Sequence, residues 1–441
     1  MRKNFAITTL GCKLNQYESE CIRQDLLQHG WECRNFNSQA GFYIINTCTV
    51  TSKTDARCRN AIRRARRSNP ESIIIVTGCY AQTQSEKLEN MKEVDFVFNN
   101  TNKGFITGFL EECLSEGDPD KPGVDRTSSL EIDINSFSEH SRAFVKVQDG
   151  CDSHCSYCII PEARGSSKSI PPDDVIRKIK CLVNNSYEEI VLTGIHIGRY
   201  GRDLEKQMDL ADLIESILGE TDRLRIRLSS IEPNEVSSKL SDFILNTERV
   251  ASHLHIPLQS GNDEILKAMK RPYSIDRYRD LIVHLKESSE SMIIGTDIIT
   301  GFPGETDRHF KNTYSYLKEL PIDYFHVFSY SKRPGTPASK MKMQIDPSDK
   351  KIRSRKLIRL GITKKRAFMR TLPGKREHVL IQGPARKYSR FSIGLTGNYC
   401  EVSIKCPLEM TGRLAQIDIT HYSRGKLYGR LLKENLHQQS C

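Results

Sequence analysis

Residues 150–158 read GCDSHCSYC and carry three cysteines, Cys151, Cys155 and Cys158, separated by three and then two residues. They follow the apolar run FVKVQ, which predicts a buried strand, so the cysteines lie on the loop that leaves it. Three thiolates suit a [4Fe–4S] cluster, because such a cluster has four irons and the fourth stays open to an external ligand. Zinc is the alternative, but structural zinc sites use four protein ligands, commonly in two pairs, and no second pair follows this loop.

The stretch that begins at Arg142 alternates strands with helical segments. After FVKVQ, the apolar runs are EIVLTGI, RLRIRLSS, HLHIPLQS, MIIGTDIITG and YFHVFSYS. Six β units with helices between them predict a parallel barrel or partial barrel, whose active site lies at the C-terminal mouth. The cysteine loop leaves the first strand at that mouth.

Three apolar runs near the N-terminus are each followed by a cysteine. FAITTLG precedes Cys12, FYIINT precedes Cys48 and SIIIVTG precedes Cys79, with helical spacing in the segments between them. This order predicts a parallel sheet, in which the carboxyl ends of the strands share one edge and the three cysteines converge. One cysteine at a strand end is usually a small buried hydrophobe, but packing does not readily explain a cysteine at all three ends.

The C-terminal region is basic and has a different pattern. The chain of 441 residues has a formal net charge of +11, and residues 366–441 contain thirteen Lys and Arg against five Asp and Glu. Alternating apolar and polar residues broken by Gly and Pro predict a small antiparallel barrel, and its charge indicates contact with nucleic acid. Six arginines form a second basic run, which either neutralises phosphates or is a solvated helix face: Arg57, Arg59, Arg63, Arg64, Arg66 and Arg67.

These patterns predict an α/β protein of three domains. We expect an N-terminal cluster domain at 1–115, a linker at 116–141, a partial barrel with a basic helical connector at 142–365, and the small barrel at 366–441. Fourteen cysteines without a secretion signal indicate metal ligands or inert thiols, and no apolar run is long enough to span a membrane. We therefore expect a soluble, cytoplasmic protein with no membrane partner.

The motif GCDSHCSYC resembles the hallmark of the radical S-adenosylmethionine (SAM) superfamily. The stretches TLGCKLNQYESE, INTCTVT and VTGCYAQ resemble the signature of its methylthiotransferase family. The resemblance implies a partial (βα)6 barrel and two [4Fe–4S] clusters. Cys151, Cys155 and Cys158 would hold the cluster that binds SAM, and Cys12, Cys48 and Cys79 the cluster that carries sulfur. The C-terminal barrel resembles the TRAM domain, an RNA-binding module, and the other eight cysteines are interpreted as structural or incidental.

Candidate SAM contacts lie on the loops after the barrel strands. By family resemblance, Tyr157 would lie near the adenine, although a packing role on the loop suits it equally. The turns LTGIHIGRYG, LSSIEP, HIPLQSG and IITGFPGET supply the remaining candidates, with glycines that let the backbone approach a ligand: Thr193, Gly194, Ser229, Ser230, Gln259, Ser260 and Gly301. His196 is interpreted as a loop histidine whose hydrogen bonds are satisfied within the protein.

The resemblance predicts an enzyme that modifies tRNA. GCKLNQYES is most similar to the group that adds a methylthio group to C2 of N6-threonylcarbamoyladenosine, in the anticodon stem-loop. This reaction needs an electron donor such as flavodoxin or ferredoxin and a source of sulfur.

Three alternatives remain open at this point. Relatives of the family act on N6-isopentenyladenosine in tRNA or on an aspartate of a ribosomal protein. The basic tail favours RNA over a basic ribosomal protein, because like charges repel. A non-catalytic iron–sulfur protein that binds RNA or carries electrons is the third alternative, although simple electron carriers usually ligate every iron with a protein thiolate.

Overall fold

The computed structural model describes residues 3–115, 134, 136–137, 141–385 and 388–432. The chain divides into two compact units. The first comprises Met1–Ser138, Gln148–Lys168 and Ser331–Ser339, and the second comprises Glu139–Val147, Ser169–Tyr330 and Lys340–Cys441. The predicted linker at 116–141 lies mostly outside the described residues, and the four domain boundaries stay predictions.

Five parallel strands form the sheet of the first unit, in the order β2-β1-β3-β4-β5. They are β1 (Asn4–Thr9), β2 (Glu32–Cys33), β3 (Phe42–Thr47), β4 (Ile73–Gly78) and β5 (Phe96–Val97). The helices are α1 (Lys13–Gln28), α2 (Ser52–Ser68), α3 (Cys79–Thr83), α4 (Ser85–Glu89) and α5 (Ile106–Ser115). The predicted parallel sheet is confirmed. Every residue of the central strand β3 is buried, which explains its apolar run.

The middle of the chain contains eight strands. They are β6 (Ala143–Lys146), β7 (Gln148–Asp149), β8 (Lys168–Ser169), β9 (Glu189–Thr193), β10 (Arg225–Leu228), β11 (His253–His255), β12 (Ile293–Thr300) and β13 (Tyr324–Ser329). The helices are α6 (Ile160–Arg164), α7 (Pro172–Asn184), α8 (Leu210–Gly219), α9 (Ser238–Asn246), α10 (Asp263–Ala268), α11 (Ile275–Ser288) and α12 (Asp307–Glu319).

Six of these strands match the six predicted β units. They form two parallel sheets, with the orders β10-β9-β6 and β11-β12-β13. A parallel bridge between Ile226 and Val250 lies between the two sheets. The predicted sequence of parallel β units is confirmed, and the extent to which they close into a barrel stays a prediction.

A long helix, α13 (Pro347–Met369), leads to the C-terminal barrel. Five strands close this barrel in the order β14-β15-β16-β18-β17. They are β14 (Arg376–Ala385), β15 (Tyr388–Thr396), β16 (Glu401–Lys405), β17 (Leu414–Ser423) and β18 (Lys426–Leu431). Four of the five neighbouring strand pairs are antiparallel, whereas β16 and β18 run parallel. An odd number of strands cannot alternate in direction around a closed ring, so one neighbouring pair must be parallel.

A buried ion-pair network joins the parallel strands to the C-terminal barrel. Glu189 on β9 is fully buried and pairs with Arg225 and Arg227 of β10, at N···O distances of 2.6 and 2.9 Å. The same guanidinium groups donate to the carbonyl oxygens of His378 (2.6 Å) and Thr396 (3.0 Å) in the small barrel. Burial alone would raise the pKa of Glu189, but the arginines outweigh it and lower that pKa. The hydrogen bonds to both barrel carbonyls therefore come from guanidinium groups whose charge Glu189 balances.

Separately, none of the helices in the described part of the chain combines the length and the apolar character that crossing a membrane requires.

Replacing Glu189 by alanine leaves two buried guanidinium groups without their carboxylate. We expect the free energy of unfolding to fall by about 3–5 kcal/mol, measured by urea denaturation. Glu220→Ala, which removes an exposed partner of Lys180, is the control and should leave the urea midpoint unchanged.

Acid provides a second measurement of the same network. Because the folded-state pKa of Glu189 is lowered, its contribution is present above the ordinary glutamate pKa of ~4.3 and is lost as the pH falls below it. The stability difference between the wild type and Glu189→Ala should therefore shrink in acid. A difference that is absent at neutral pH, or independent of pH, would contradict this interpretation.

Candidate functional site

The three N-terminal cysteines lie at the carboxyl ends of neighbouring strands. Cys12 precedes α1 after β1, Cys48 follows β3, and Cys79 begins α3 directly after β4. A Cβ atom built on Gly11 would lie 2.9 Å from the Cβ of Cys48, so the first two loops touch. The thiols of Cys12 and Cys79 also lie close enough to Cys48 to raise its pKa electrostatically. The structure thus brings together the three cysteines that the sequence predicted to converge.

Burial shapes the chemistry of these thiols. Desolvation raises the pKa of Cys48 to about 12, and crowding by protein atoms also raises the pKa of Cys12, although the Arg164 guanidinium opposes that shift. Such thiols lose their protons when they bind a metal centre, whose positive charge replaces the proton. Cys12 also occupies the N-cap position of α1, without a side-chain capping hydrogen bond, where the helix dipole favours a thiolate. Cys48 and Cys79 are buried and Cys12 is exposed, and all three thiols are of the type that ligates a cationic centre.

A metal cluster and a single metal ion require different arrangements of these ligands. Within the described residues, no three His, Cys, Asp or Glu side chains lie close enough to share one ion. The cysteines of a [4Fe–4S] cluster bind separate irons and need not meet at one point.

Arg164, which the sequence did not single out, reaches the N-terminal cysteines from α6. Its Nε donates to Cys79 Sγ at 3.1 Å, and its Nη2 donates to Asn15 Oδ1 at 2.9 Å and Glu18 Oε2 at 3.1 Å. Asn15 Oδ1 also accepts a hydrogen bond from the Cys12 thiol, at 3.3 Å. The Arg164 side chain is only 1% exposed. One guanidinium group therefore contacts Cys79 directly and Cys12 through Asn15.

A second buried cation completes this polar cluster. Lys103 Nζ lies 2.5 Å from Glu18 Oε1 and donates to Asn100 at 3.0 Å. The amide of Asn100 donates to the Ala163 carbonyl at 2.7 Å and lies 3.8 Å from Cys79 Sγ. Burial lowers the pKa of Lys103, and the Glu18 carboxylate opposes this effect. A single sequence contains no signal for these partners, because each residue type is common on protein surfaces.

The second cysteine loop presents its sulfurs to backbone amides. Residues 151–158 form neither helix nor strand, and all three cysteines are half-buried. The Ser153 amide lies 3.4 Å from Cys151 Sγ, and the Ile160 amide lies 3.5 Å from Cys158 Sγ. Hydrogen bonds to cysteine sulfur stabilise negative charge there and are one way in which proteins tune iron–sulfur clusters. The loop therefore fits a cluster ligated by three thiolates.

Gly150 allows this loop to leave β7. Its φ is +72°, and a Cβ atom there would lie 1.9 Å from the carbonyl oxygen of Ser166. Only glycine fits this close approach in a left-handed conformation. The Cys151 amide then donates to the Gly165 carbonyl at 3.0 Å, which anchors the start of the loop.

The segment Ser331–Ser339 contacts both cysteine-bearing regions of the first unit. The Ala338 amide donates to the Ser156 carbonyl at 2.8 Å, inside the cysteine loop. Arg333 Nη1 pairs with Asp55 at 2.7 Å, and its Nη2 donates to Thr49, which follows Cys48. This segment therefore restrains the positions of both loops.

Several candidate SAM contacts of the second unit lie at the carboxyl ends of strands. Thr193 ends β9 and is buried, Gly194 follows it, and Ser229 follows β10. The hydroxyls of Ser229 and Ser260 are buried and have no hydrogen-bond partner among the described residues. An unsatisfied buried hydroxyl costs about 1–3 kcal/mol, so these two atoms fit a polar ligand such as a ribose or an amino-acid group. Tyr157 belongs to the first unit.

The other candidates already have partners or restrained backbones. Ser230 Oγ lies 2.8 Å from His255 Nδ1, and the Gly301 amide donates to Glu305 at 2.6 Å. Gln259 has a φ of +70°, which is unusual for a residue with a side chain. Their roles in SAM binding stay predictions.

His196 Nε2 lies 2.8 Å from Glu235 Oε2, which makes an ion pair when the imidazole is protonated. The role assigned to His196 stays a prediction.

Comparison with known proteins places this site in a family. Residues 4–99 match the model of the uncharacterized protein family UPF0004, and residues 145–317 match the radical SAM superfamily. The threonylcarbamoyladenosine tRNA methylthiotransferase MtaB of Bacillus subtilis (strain 168) is 37% identical, covering 94% of this chain and 93% of that protein. The tRNA-2-methylthio-N(6)-dimethylallyladenosine synthase of Clostridium novyi (strain NT) is 33% identical, covering 98% and 97%.

A solved structure agrees at the level of the fold. The radical SAM methyltransferase TsrM from Kitasatospora setae, determined with cobalamin and a [4Fe-4S] cluster, has a TM-score of 0.57 and 13% identity. The match covers 77% of each chain. With relatives above 30% identity over nearly its whole length, the chain belongs to the methylthiotransferase family of radical SAM enzymes.

Proposed function

We propose that this enzyme adds a methylthio group to C2 of N6-threonylcarbamoyladenosine, next to the anticodon of tRNA. The observation that carries the proposal is that one compact unit contains both three-cysteine sites. Each site is one thiolate short of a fully protein-ligated cluster, which leaves one iron for an external ligand. The substrate follows from relatives named for this reaction, which are 32–38% identical over most of the chain.

The cofactors are SAM and two [4Fe–4S] clusters. Cys151, Cys155 and Cys158 would hold the cluster that binds SAM, and the N-terminal trio would hold the sulfur-bearing cluster: Cys12, Cys48 and Cys79. When bound, SAM supplies the radical that removes hydrogen from the adenine and the methyl group that the inserted sulfur receives.

The protein's own groups position these cofactors and shield them. The Ser153 and Ile160 amides stabilise negative charge on the sulfurs of the second loop. The buried hydroxyls of Ser229 and Ser260 are free to bind polar groups of SAM. Cys48 and Cys79 are buried and shielded from water, whereas Cys12 lies at the exposed side of the trio, where an external ligand can approach.

The reaction also requires an electron donor and a source of sulfur. A low-potential carrier such as flavodoxin or ferredoxin would reduce the cluster. Each turnover consumes a sulfur atom, so a sulfide or persulfide source must replace it.

A basic and aromatic surface on the C-terminal barrel supports an RNA substrate. A cavity of about 710 Å³ lies between α13 and the barrel strands, and a second cavity of about 400 Å³ lies beside it. Both are lined by Phe391, Ser403 and Tyr428. The ring of His421 stacks on Tyr428 at 4.6 Å, with 4° between the ring planes. Unpaired bases of an RNA loop stack on such rings.

The charge of this surface matches a phosphate backbone. Six lining side chains are basic and one is acidic, Glu401. The basic ones are Lys365, Arg366, Lys405, Arg424, Lys426 and Arg430. Cations around stacking rings are typical of surfaces that bind single-stranded RNA. We therefore infer that the barrel binds the anticodon stem-loop here.

The six arginines of the N-terminal run offer weaker support for an RNA substrate. Arg66 is committed to the protein, because it donates to the carbonyls of Pro70 and Ser72 and pairs with Asp95. Arg59 donates to the Tyr80 hydroxyl at 2.8 Å. Arg63 also lies 3.7 Å from Glu93, and the Arg64 guanidinium lies over the Phe36 ring. At least four of the six therefore contact the protein.

Mass spectrometry of tRNA nucleosides from cells that lack this protein tests the function. We expect the methylthio derivative of N6-threonylcarbamoyladenosine to disappear, and wild-type protein to restore it. Cys155→Ala should not restore it, because a cluster with two thiolates is labile. Cys181→Ala, which changes a cysteine outside both trios, should restore it fully.

The nucleoside that changes identifies the substrate. Loss of the methylthio derivative of N6-isopentenyladenosine instead would favour the alternative tRNA substrate. Loss of neither would contradict a role in tRNA methylthiolation, provided that no second enzyme makes the same product.

Iron analysis tests the N-terminal site. After anaerobic reconstitution, Cys48→Ala should retain about half of the wild-type iron, because one of two clusters loses a ligand. Cys58→Ala is the control: this buried cysteine donates to the Cys48 carbonyl but lies outside the trio. Full iron content in Cys48→Ala, or equal loss in Cys58→Ala, would contradict the assignment.

Salt-dependent binding of an anticodon stem-loop RNA tests the barrel surface. Replacing both Lys405 and Lys426 by alanine should weaken binding and reduce the slope of log K against log salt by about two, one for each lost phosphate contact. Lys311→Ala, an exposed change on α12, should leave the slope unchanged. An unchanged slope in the double variant would exclude this surface as a backbone contact.

A further inference from the structure

Arg164 combines two features that a purely structural arginine does not need. It lies at the end of α6, six residues after Cys158, yet its Nε contacts Cys79 Sγ of the other trio at 3.1 Å. Its remaining nitrogens bind Glu18 and Asn15, so every part of the guanidinium group is held in place. The segment that carries one set of cysteines therefore places a fixed charge on a sulfur of the other set.

We propose that Arg164 is a positioning residue that raises the reduction potential of the cluster bound by Cys12, Cys48 and Cys79. This inference rests on the proposed function, because it assumes that a [4Fe–4S] cluster occupies that trio. It concerns the cluster that carries sulfur, not the one that binds SAM.

Arg164 is the cation that acts most directly on the Cys79 sulfur. Arg164 and Lys103 face two carboxylates, Glu18 and Asp149, and the shortest Arg164–Asp149 distance is 3.3 Å. In the described part of the chain, Arg164 is the cation that contacts the sulfur, whereas Lys103 contacts Glu18 and Asn100. The pairs of Arg164 and Lys103 with Glu18 are buried, so solvent screens them little, whereas Asp149 is partly exposed.

Electrostatics gives the sign of the effect. One-electron reduction adds one negative charge to the cluster and its thiolates, and the electron comes from an external low-potential reductant. A guanidinium group that donates to a ligating sulfur stabilises the added charge. Arg164 stays protonated at every pH a protein tolerates, so this charge is constant. Its loss therefore lowers the potential, whereas loss of the opposing Glu18 charge raises it.

The test uses the full chain carrying Cys155→Ala, which leaves the N-terminal cluster as the only one to observe. The midpoint potential is measured by redox titration with detection by electron paramagnetic resonance. Arg164→Gln lowers the potential, and Arg164→Lys, which keeps the charge but cannot reach all three partners, gives an intermediate value. Glu18→Gln shifts the potential in the opposite direction, upward.

Arg66→Gln is the matched control. Arg66 is also held by backbone carbonyls and an aspartate in the same unit, and its partners among the described residues include no cysteine. This variant leaves the potential unchanged even where it lowers stability.

The outcomes distinguish the inference about Arg164 from the proposed function. An unchanged potential in an iron-loaded Arg164→Gln, or an equal shift in Arg66→Gln, overturns the inference and leaves the proposed function standing. If Arg164→Gln binds no iron, Glu18→Gln decides: a raised potential supports the inference, and an unchanged or lowered one overturns it. Absence of iron from the Cys155→Ala parent contradicts the proposed N-terminal cluster itself.

Discussion

The buried ion pair between Arg164 and Glu18 is the interaction on which the candidate site depends. It joins α6, next to the second cysteine loop, to α1, which begins at Cys12. Both side chains are about 1% exposed, so each charge needs a partner of opposite sign inside the protein. Lys103 and Asn15 provide the remaining hydrogen bonds, and the network satisfies the groups it buries. The ion pair therefore fixes the position of one cysteine region of the first unit relative to the other.

The parallel sheet explains why the N-terminal cysteines meet without any local sequence relationship. Each follows a strand, and adjacent parallel strands end at the same edge. The second trio instead lies within one short loop, where spacing alone keeps the thiols close. The protein thus builds two similar ligand sets by different means, one from topology and one from local sequence.

Ion pairs also connect the parallel strands of the second unit to the C-terminal barrel. Glu189 balances Arg225 and Arg227, and these arginines bind the barrel's backbone carbonyls. Backbone carbonyls are present whatever the side chains are, so this contact constrains the barrel's sequence little. Because the contact uses backbone atoms, it does not restrict the side chains of the barrel surface around Tyr428, where basic residues and aromatic rings can bind RNA.

The amino-acid sequence by itself determined the cysteine spacing, the order of the parallel strands and the basic character of the C-terminal region. These features depend on local periodicity and composition, which a linear chain displays directly. Tertiary structure alone decided that Arg164 contacts Cys79, that residues 331–339 pack with the first unit, and that β16 pairs in parallel with β18. Such contacts join residues far apart in the chain. These contacts are stabilised by burial and charge pairing, which exist only after folding. No pattern in the linear sequence therefore predicts them.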